Sequence, residues 1–272
     1  MKRHVFMLSD GTGITAETLG NSLISQFDNI AFERHTIPYI DSIDKARRVI
    51  AEINQVFLQD NVRPLVFMTL VNQEIRRLIF QESQASVFDL FNTFIDPLEQ
   101  ELNEKSSYTV GRTHGVVDNK LYLQRLEAID FALAHDDGVK TRGYEKADII
   151  LIGVSRCGKT PSCIYMALQY GILAANYPFT EEEIDHFQLP DVLRAFKNKL
   201  FGLTIEVSRL QQIRQERRPN SRYSSLEQCR IEVQAVEAMY LREQIPYINS
   251  TKYSIEEIST KILASSGLRR RI

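Results

Sequence analysis

The chain has 272 residues, of which 43% are hydrophobic and 25% charged, a globular composition with room for one large core or two smaller ones. A net charge of −2 gives no overall pull toward nucleic acid or anionic lipid, so any basic site is a local cluster. Three cysteines, Cys157, Cys163 and Cys229, lack metal-ligand spacing and are odd in number, which argues against a disulfide framework and fits a reducing cytoplasm. The first apolar stretch ends at Ser9 and Asp10, too short for a signal-peptide core, and no later segment approaches a membrane span.

In chain order, His4 to Leu8 is an apolar run, the turn Ser9-Asp10-Gly11-Thr12-Gly13 follows, and Leu19, Leu23, Ile24 and Phe27 recur at helical spacing. That pattern predicts a strand, a glycine turn and a helix. Phe32 to Ile37 predicts a second strand, Asp44 to Leu58 a helix, and Leu65 to Leu70 a buried strand introduced by Pro64. Strands separated by helices favour a parallel α/β sheet. Gln73 to Leu102 reads as mainly helical and gives way to the polar, aperiodic stretch from Ser106 to Gly111. The expected division is therefore an N-terminal parallel α/β domain, 1–105, and a C-terminal P-loop kinase-like α/β domain, 106–272, whose first part, 106–147, is a linking segment and helix.

Within that second part a helix is expected from about Leu121 to Leu133, then the turn His135-Asp136-Asp137-Gly138, a strand from Asp148 to Val154, and a helix from Thr160 that ends near Gly171. Ile172 to Ala175 and Leu200 to Ile205 predict two further strands, and the C-terminal region reads as mostly helical. Cys229, Val233, Val236 and Tyr240 share one helix face, while Ser254 and Glu257 have capping-box spacing. The sequence shows no internal repeat.

The strongest motif is Gly153, Val154, Ser155, Arg156, Cys157, Gly158, Lys159 and Thr160, which fits the P-loop pattern of Gly, four residues, then Gly-Lys-Ser/Thr. Its setting agrees, because Ile149-Ile150-Leu151-Ile152 is a continuous apolar run and a helix pattern follows. In such a loop, glycines let backbone N–H groups turn toward phosphate oxygens and the helix N-terminus adds partial positive charge. Lys159 would face solvent and sit against the transferred phosphate, and Thr160 would be a ligand for Mg²⁺. A glycine turn that binds nothing is the bland alternative.

Weaker signals surround it. Ser9-Asp10-Gly11-Thr12-Gly13 is either a second anion-holding turn or an ordinary tight connection. Asp136 and Asp137 offer two adjacent carboxylates, one to take a hydroxyl proton and one to help hold a metal, or else a solvated helix end capped by Gly138. Arg112-Thr113-His114-Gly115 suits an anion or a proton transfer, although loops carry such residues routinely. Arg209, Arg214, Arg217, Arg218 and Arg222 form the basic cluster, either a phosphate or partner contact or a solvated helix face with Glu216 as partial partner. Without interleaved aromatics it does not read as a nucleic-acid patch.

Together these strings resemble the bacterial regulators of phosphoenolpyruvate synthase. The likeness is carried by His4-Val5-Phe6 with Ser9 to Glu17, by Ala128 to Gly138, and by the P-loop running into Thr160-Pro161. It continues through Ala174-Ala175-Asn176-Tyr177-Pro178, Phe201-Gly202-Leu203-Thr204 and Asn249-Ser250-Thr251, so it spans nearly the whole chain. The resemblance implies a bifunctional serine/threonine kinase and phosphorylase. Such an enzyme inactivates the synthase by moving a phosphoryl group from ADP to a threonine, and reactivates it with inorganic phosphate, releasing pyrophosphate. Gly158-Lys159, where the sister dikinase regulators tend to carry Ser-Lys, favours the synthase branch. On this reading Lys159 serves both directions, Asp137 or Asp136 exchanges the threonine proton, and Asp10 is the next candidate. The acceptor needs an open groove, to which the first domain or the arginine segment could contribute. Leu200 to Ile205 ends at Glu206 instead of an Asp, which leaves the second Mg²⁺ ligand open. A homodimer, a small-molecule kinase and an ADP-sensing interaction module also stay open at this stage.

Overall fold

The structure, a computed structural model, describes residues 2–109, 119–138, 140–185 and 188–272. Arg112-Thr113-His114-Gly115 lies outside the described residues. The chain separates into two compact units, Met1–Gly115 and Val116–Ile272.

The first unit contains β1 (Lys2–Ser9), α1 (Ile14–Ile24), β2 (Ala31–Ile37), α2 (Ile43–Asp60), β3 (Leu65–Thr69), α3 (Gln73–Glu82), β4 (Ser86–Asp89) and α4 (Asn92–Leu102). Its four strands form one parallel sheet in the order β2-β1-β3-β4. Alternation along β1 sorts its side chains between two layers. Val5 and Met7 pack with Ala16 and Ile24 of α1, while Phe6 and Leu8 pack with Ala46, Val49, Ile50 and Ile53 of α2 and Ile75 and Ile79 of α3. The Ser42 hydroxyl accepts from the Lys45 N–H to cap α2, and the Asn72 carboxamide accepts from Glu74 and Ile75 to cap α3. The mainly helical reading of Gln73 to Leu102 needs one correction, since β4 interrupts it. Four residues at a sheet edge are too few to display a period of two.

The second unit contains α5 (Asn119–Ala134), β5 (Ile149–Gly153), α6 (Lys159–Tyr170), β6 (Ala174–Pro178), α7 (Glu181–Asp185), α8 (Asp191–Arg194), β7 (Leu200–Thr204), α9 (Val207–Arg217), α10 (Leu226–Glu243), β8 (Tyr247–Asn249) and α11 (Ile255–Ser266). Its strands are also all parallel, in the order β6-β5-β7-β8. Every residue of β5 is buried, as its apolar run requires of a central strand. The expected capping box forms at α11, where Ser254 and Glu257 bond reciprocally. Cys229, Val233, Val236 and Tyr240 are all buried on α10.

Numbered within each unit, both sheets run second-first-third-fourth. A topology repeats where the sequence shows no repeat. In each sheet the order reverses between the first and third strands, and outside their C-terminal ends an open α/β sheet has its natural binding crevice.

Candidate functional site

The crevice of the second unit is occupied by the loop between β5 and α6. Gly153 leaves the strand at φ 150°, and a Cβ there would meet the Leu203 carbonyl oxygen on β7 at 2.4 Å, so only glycine lets the backbone pass this close. Arg156 at φ 77° and Gly158 at φ 98° then turn the chain twice through left-handed conformations. A Cβ on Gly158 would meet nothing within 4 Å, so the loop is open on that side.

Side chains from α6, α9 and α10 and from Ser250, just after β8, hold the carbonyls of the loop and of the strand end that leads into it. The Tyr240 hydroxyl donates to Ile152 O at 3.0 Å. Lys159 Nζ donates to Gly153 O and Val154 O at 2.9 and 2.7 Å. The Arg214 guanidinium reaches Ser155 O at 3.2 Å, and the Ser250 hydroxyl reaches Cys157 O at 2.9 Å. Among the described residues, no N–H from Ser155 to Lys159 donates a backbone or side-chain hydrogen bond. Carbonyls engaged by side chains, with successive N–H groups left unbonded, make a loop suited to an anion, and the N-terminus of α6 adds to it.

Lys159 departs from expectation. Its side chain does not face solvent but is buried at 4% exposure, with the ammonium folded onto the loop's own carbonyls. An ammonium has three donors, and the third has only a weak contact, 3.8 Å to Cys157 Sγ.

Thr160 and the acidic pair come together. The Thr160 hydroxyl donates to Asp136 Oδ1 at 2.8 Å, and the Asn176 carboxamide at the edge strand β6 donates to the same oxygen. Asn176 Oδ1 in turn accepts from the Asp137 N–H at 3.1 Å. Asp137 at φ 52° and Gly138 at φ 69° complete the turn, leaving the Asp137 side chain exposed. His135 is structural, because its two ring nitrogens lie against the Phe131 and Arg142 carbonyls at 2.8 and 3.2 Å. Beneath the pair, burial and then the Asp136 charge push the Cys163 thiol well above its ordinary range.

Asp10 belongs to the other unit, where its Oδ2 accepts from the Val71 N–H at 2.6 Å and ties the end of β1 to the segment after β3. The basic cluster divides: Arg209, Arg217, Arg218 and Arg222 are exposed, whereas Arg214 is fully buried and paired with Glu232. Neither reading of the cluster anticipated a buried arginine. His4, Glu33 and His35 in the first unit bring metal-type donors within 4.8 Å of one another, but His4 and His35 bond to each other and Glu33 pairs with Lys2. Asn176, Ser250, Tyr223 and Glu232 are the site residues that motif spacing does not disclose. Two of them, Asn176 and Ser250, fall in strings that carry the resemblance.

Comparison with known proteins places the chain in a family. The kinase/pyrophosphorylase family profile matches residues 5–263. The chain is 74% identical over 272 residues to a protein of Legionella pneumophila strain Lens, covering all of both chains. It is 57% identical over 271 residues to one of Pseudomonas fluorescens strain Pf0-1, covering 100% of this chain and 99% of the other. Both relatives bear the name "Putative phosphoenolpyruvate synthase regulatory protein". No helix among the described residues is long and apolar enough to cross a membrane.

Proposed function

Because the chain belongs to the kinase/pyrophosphorylase family, we propose that the Gly153–Thr160 loop is a phosphate cradle in which a phosphoryl group passes from ADP to a threonine of phosphoenolpyruvate synthase and is later removed by inorganic phosphate. The observation that carries the reading is the loop itself, with carbonyls held outward and N–H groups unused, and with a carboxylate at its threonine. In the forward direction the threonine Oγ attacks the β-phosphorus of ADP, the bond from that phosphorus to the bridging oxygen breaks, and AMP leaves. The threonine proton passes to the exposed carboxylate of Asp137. In reverse, a phosphate oxygen attacks the phosphothreonine phosphorus, the threonine oxygen leaves and takes the proton back from Asp137, and pyrophosphate is released. One cradle serves both reactions, because each places a phosphate beside the phosphoryl group in flight.

The residues present suit Mg²⁺. Thr160 Oγ1 and Asp136 Oδ1 are two oxygen donors 2.8 Å apart, the hard ligand type this cation takes. They would hold it, with Asp136 taking the place of the second ligand that Glu206 left open. When bound, the ion neutralises charge on the phosphate oxygens. Asn176 orients Asp136, and the third donor of Lys159 is available to a phosphate oxygen. The opening beside Gly158 and the exposed Arg156 give a protein acceptor access.

The experiment is to incubate the pure protein with phosphoenolpyruvate synthase and ADP and to map phosphate on the synthase by mass spectrometry. Phosphothreonine with stoichiometric AMP is expected, and added phosphate should then release pyrophosphate. Phosphorylation by ATP in a system cleared of ADP, with ADP inert, would replace this reading with that of an ordinary protein kinase. Nucleotide binding without any transfer would reduce the protein to an ADP sensor.

A further inference from the structure

The phosphate loop is braced from behind by a buried ion pair. Arg214 lies on α9 with its side chain at 0% exposure, and Glu232 lies on α10 at 5%. The guanidinium makes two parallel bonds to the carboxylate, at 3.1 and 2.6 Å, the fork geometry that arginine alone offers. The second donor of each Nη looks outward from the pair, while Nε is buried without a hydrogen-bond partner. Nη2 donates to Ser155 O at 3.2 Å and Nη1 to Tyr223 O at 3.1 Å, while the guanidinium sits 4.2 Å from the centre of the Tyr223 ring. Tyr223 closes the circuit, since its hydroxyl lies 3.1 Å from Ser155 Oγ. Gln228 donates to Glu232 Oε1 at 3.1 Å and fixes the carboxylate in turn. Ser155 is thus held at both its carbonyl and its hydroxyl by one network.

We propose that Arg214 is a positioning residue: by holding the Ser155 carbonyl out of the cradle, it keeps the loop's N–H groups turned toward the phosphate. The inference rests on the reading of the loop as a phosphate cradle. Nothing else bonded to Ser155 O does this work among the described residues. If that carbonyl swung inward, its negative end would face the bound phosphate and the N–H groups beside it would turn away. Arg214 need not touch the nucleotide: fully buried and bonded to Ser155 O, it acts through the geometry of the loop. A displacement of about 1 Å in such a loop is enough to cost about 100-fold in rate.

Two variants test this. Arg214→Met with Glu232→Leu removes both charges and keeps the volume, so no unpaired ion is left in the core. Arg214→Lys keeps a charge for Glu232 but cannot reach the carboxylate with a fork and Ser155 O as well. The readouts are thermal melting, the Kd of ADP and of inorganic phosphate by calorimetry, and the KM values of both kinase substrates. Expected for the double variant are a melting temperature near that of the parent, weaker binding of ADP and of phosphate, a rate lower by about 100-fold, and an unchanged KM for the protein acceptor. Arg214→Lys should restore part of the loss. Parent-like affinities in either folded variant would overturn the proposal and leave the cradle intact. A purely structural ion pair predicts the opposite split, with lowered melting and unchanged Kd values in the folded fraction. If the parent protein itself bound neither ADP nor phosphate, the cradle reading and this inference would fall together.

Discussion

Asp136 and Asp137 adjoin in sequence but meet opposite surroundings. Asp136 Oδ1 is engaged by Thr160 and Asn176 inside the turn, whereas Asp137 uses only its backbone N–H and leaves its carboxylate exposed. In the proposed reaction these two environments would give two roles, the first carboxylate holding the cation and the second exchanging the proton. Asp136→Asn should therefore raise the Mg²⁺ concentration needed for half-maximal rate, because an amide is a poorer cation ligand and its NH₂ would oppose the Asn176 NH₂ or the Thr160 hydroxyl. Asp137→Asn should lower kcat in both directions by about 10²–10⁴-fold, the range for a general base, while leaving Mg²⁺ dependence and the KM of ADP alone. Kinase and phosphorylase rates titrated against Mg²⁺ distinguish the two. A near-normal kcat in Asp137→Asn would move the base to another residue.

At the scale of elements, the route from β5 through the loop into α6 depends on two glycines for different reasons. Gly153 combines φ 150° with a Leu203 carbonyl 2.4 Å from any Cβ, and a backbone atom cannot rotate away. Gly158 has φ 98° and open space. Gly153→Ala should thus cost more stability than Gly158→Ala, with strain and overpacking adding at about 1–3 kcal/mol each at the first site and strain alone acting at the second. Urea midpoints of the two variants measure the difference, and equal midpoints would show that the β7 contact relaxes freely. This route was the most legible part of the sequence, because a continuous apolar run, a spaced motif and a helical pattern all agree. The short strands β4 and β8, of four and three residues, carried no readable period. Strand β6 was expected at Ile172 to Ala175 but runs Ala174–Pro178, because Gly171 at φ 65° ends α6 first and Pro178 is tolerated at the end of an edge strand. Asn176 within it is a poor strand former that becomes fully buried only through its bonds to the turn at Asp136. Arg214 was illegible for the same reason. Its helix reads as a solvated basic face until Glu232, on a different helix, arrives beside it.

For the whole molecule, two units share one topology and place a glycine turn after the first strand, yet they finish the crevice differently. In the first unit Asp10 bonds across to Val71 and occupies the space between the first and third strands. In the second, the Ser250 hydroxyl shares its one proton between Thr204 O and Cys157 O, bracing the loop and leaving its N–H groups unbonded. The proposed chemistry belongs to the second unit, and so does a particular response to alkali. Burial pushes up the Cys163 and Cys229 thiols and the Tyr144, Tyr177 and Tyr240 phenols, all of which lie in Val116–Ile272. Their ordinary values are 9.0 for the thiols and 10.0 for the phenols. Below about pH 9 folded and unfolded chains alike keep these protons, so the groups contribute no pH dependence there. As pH rises through 9 and 10, the unfolded chain releases protons that the folded unit retains. The unfolded state then binds fewer protons, and stability must fall with pH. Urea unfolding followed by hydrogen exchange on peptides from each unit, at about pH 7.5 and about pH 10.5, should show the midpoint of the second unit dropping across this window. Exchange rates need correction for their own pH dependence, so midpoints and not raw protection are compared. Since the chain has no tryptophan, peptide-resolved exchange also supplies the spectroscopic handle that fluorescence would lack. A midpoint for Val116–Ile272 that holds constant through pH 10.5 would mean that these thiols and phenols ionise in place, and that the packing around Cys163 and Tyr240 is open to hydroxide.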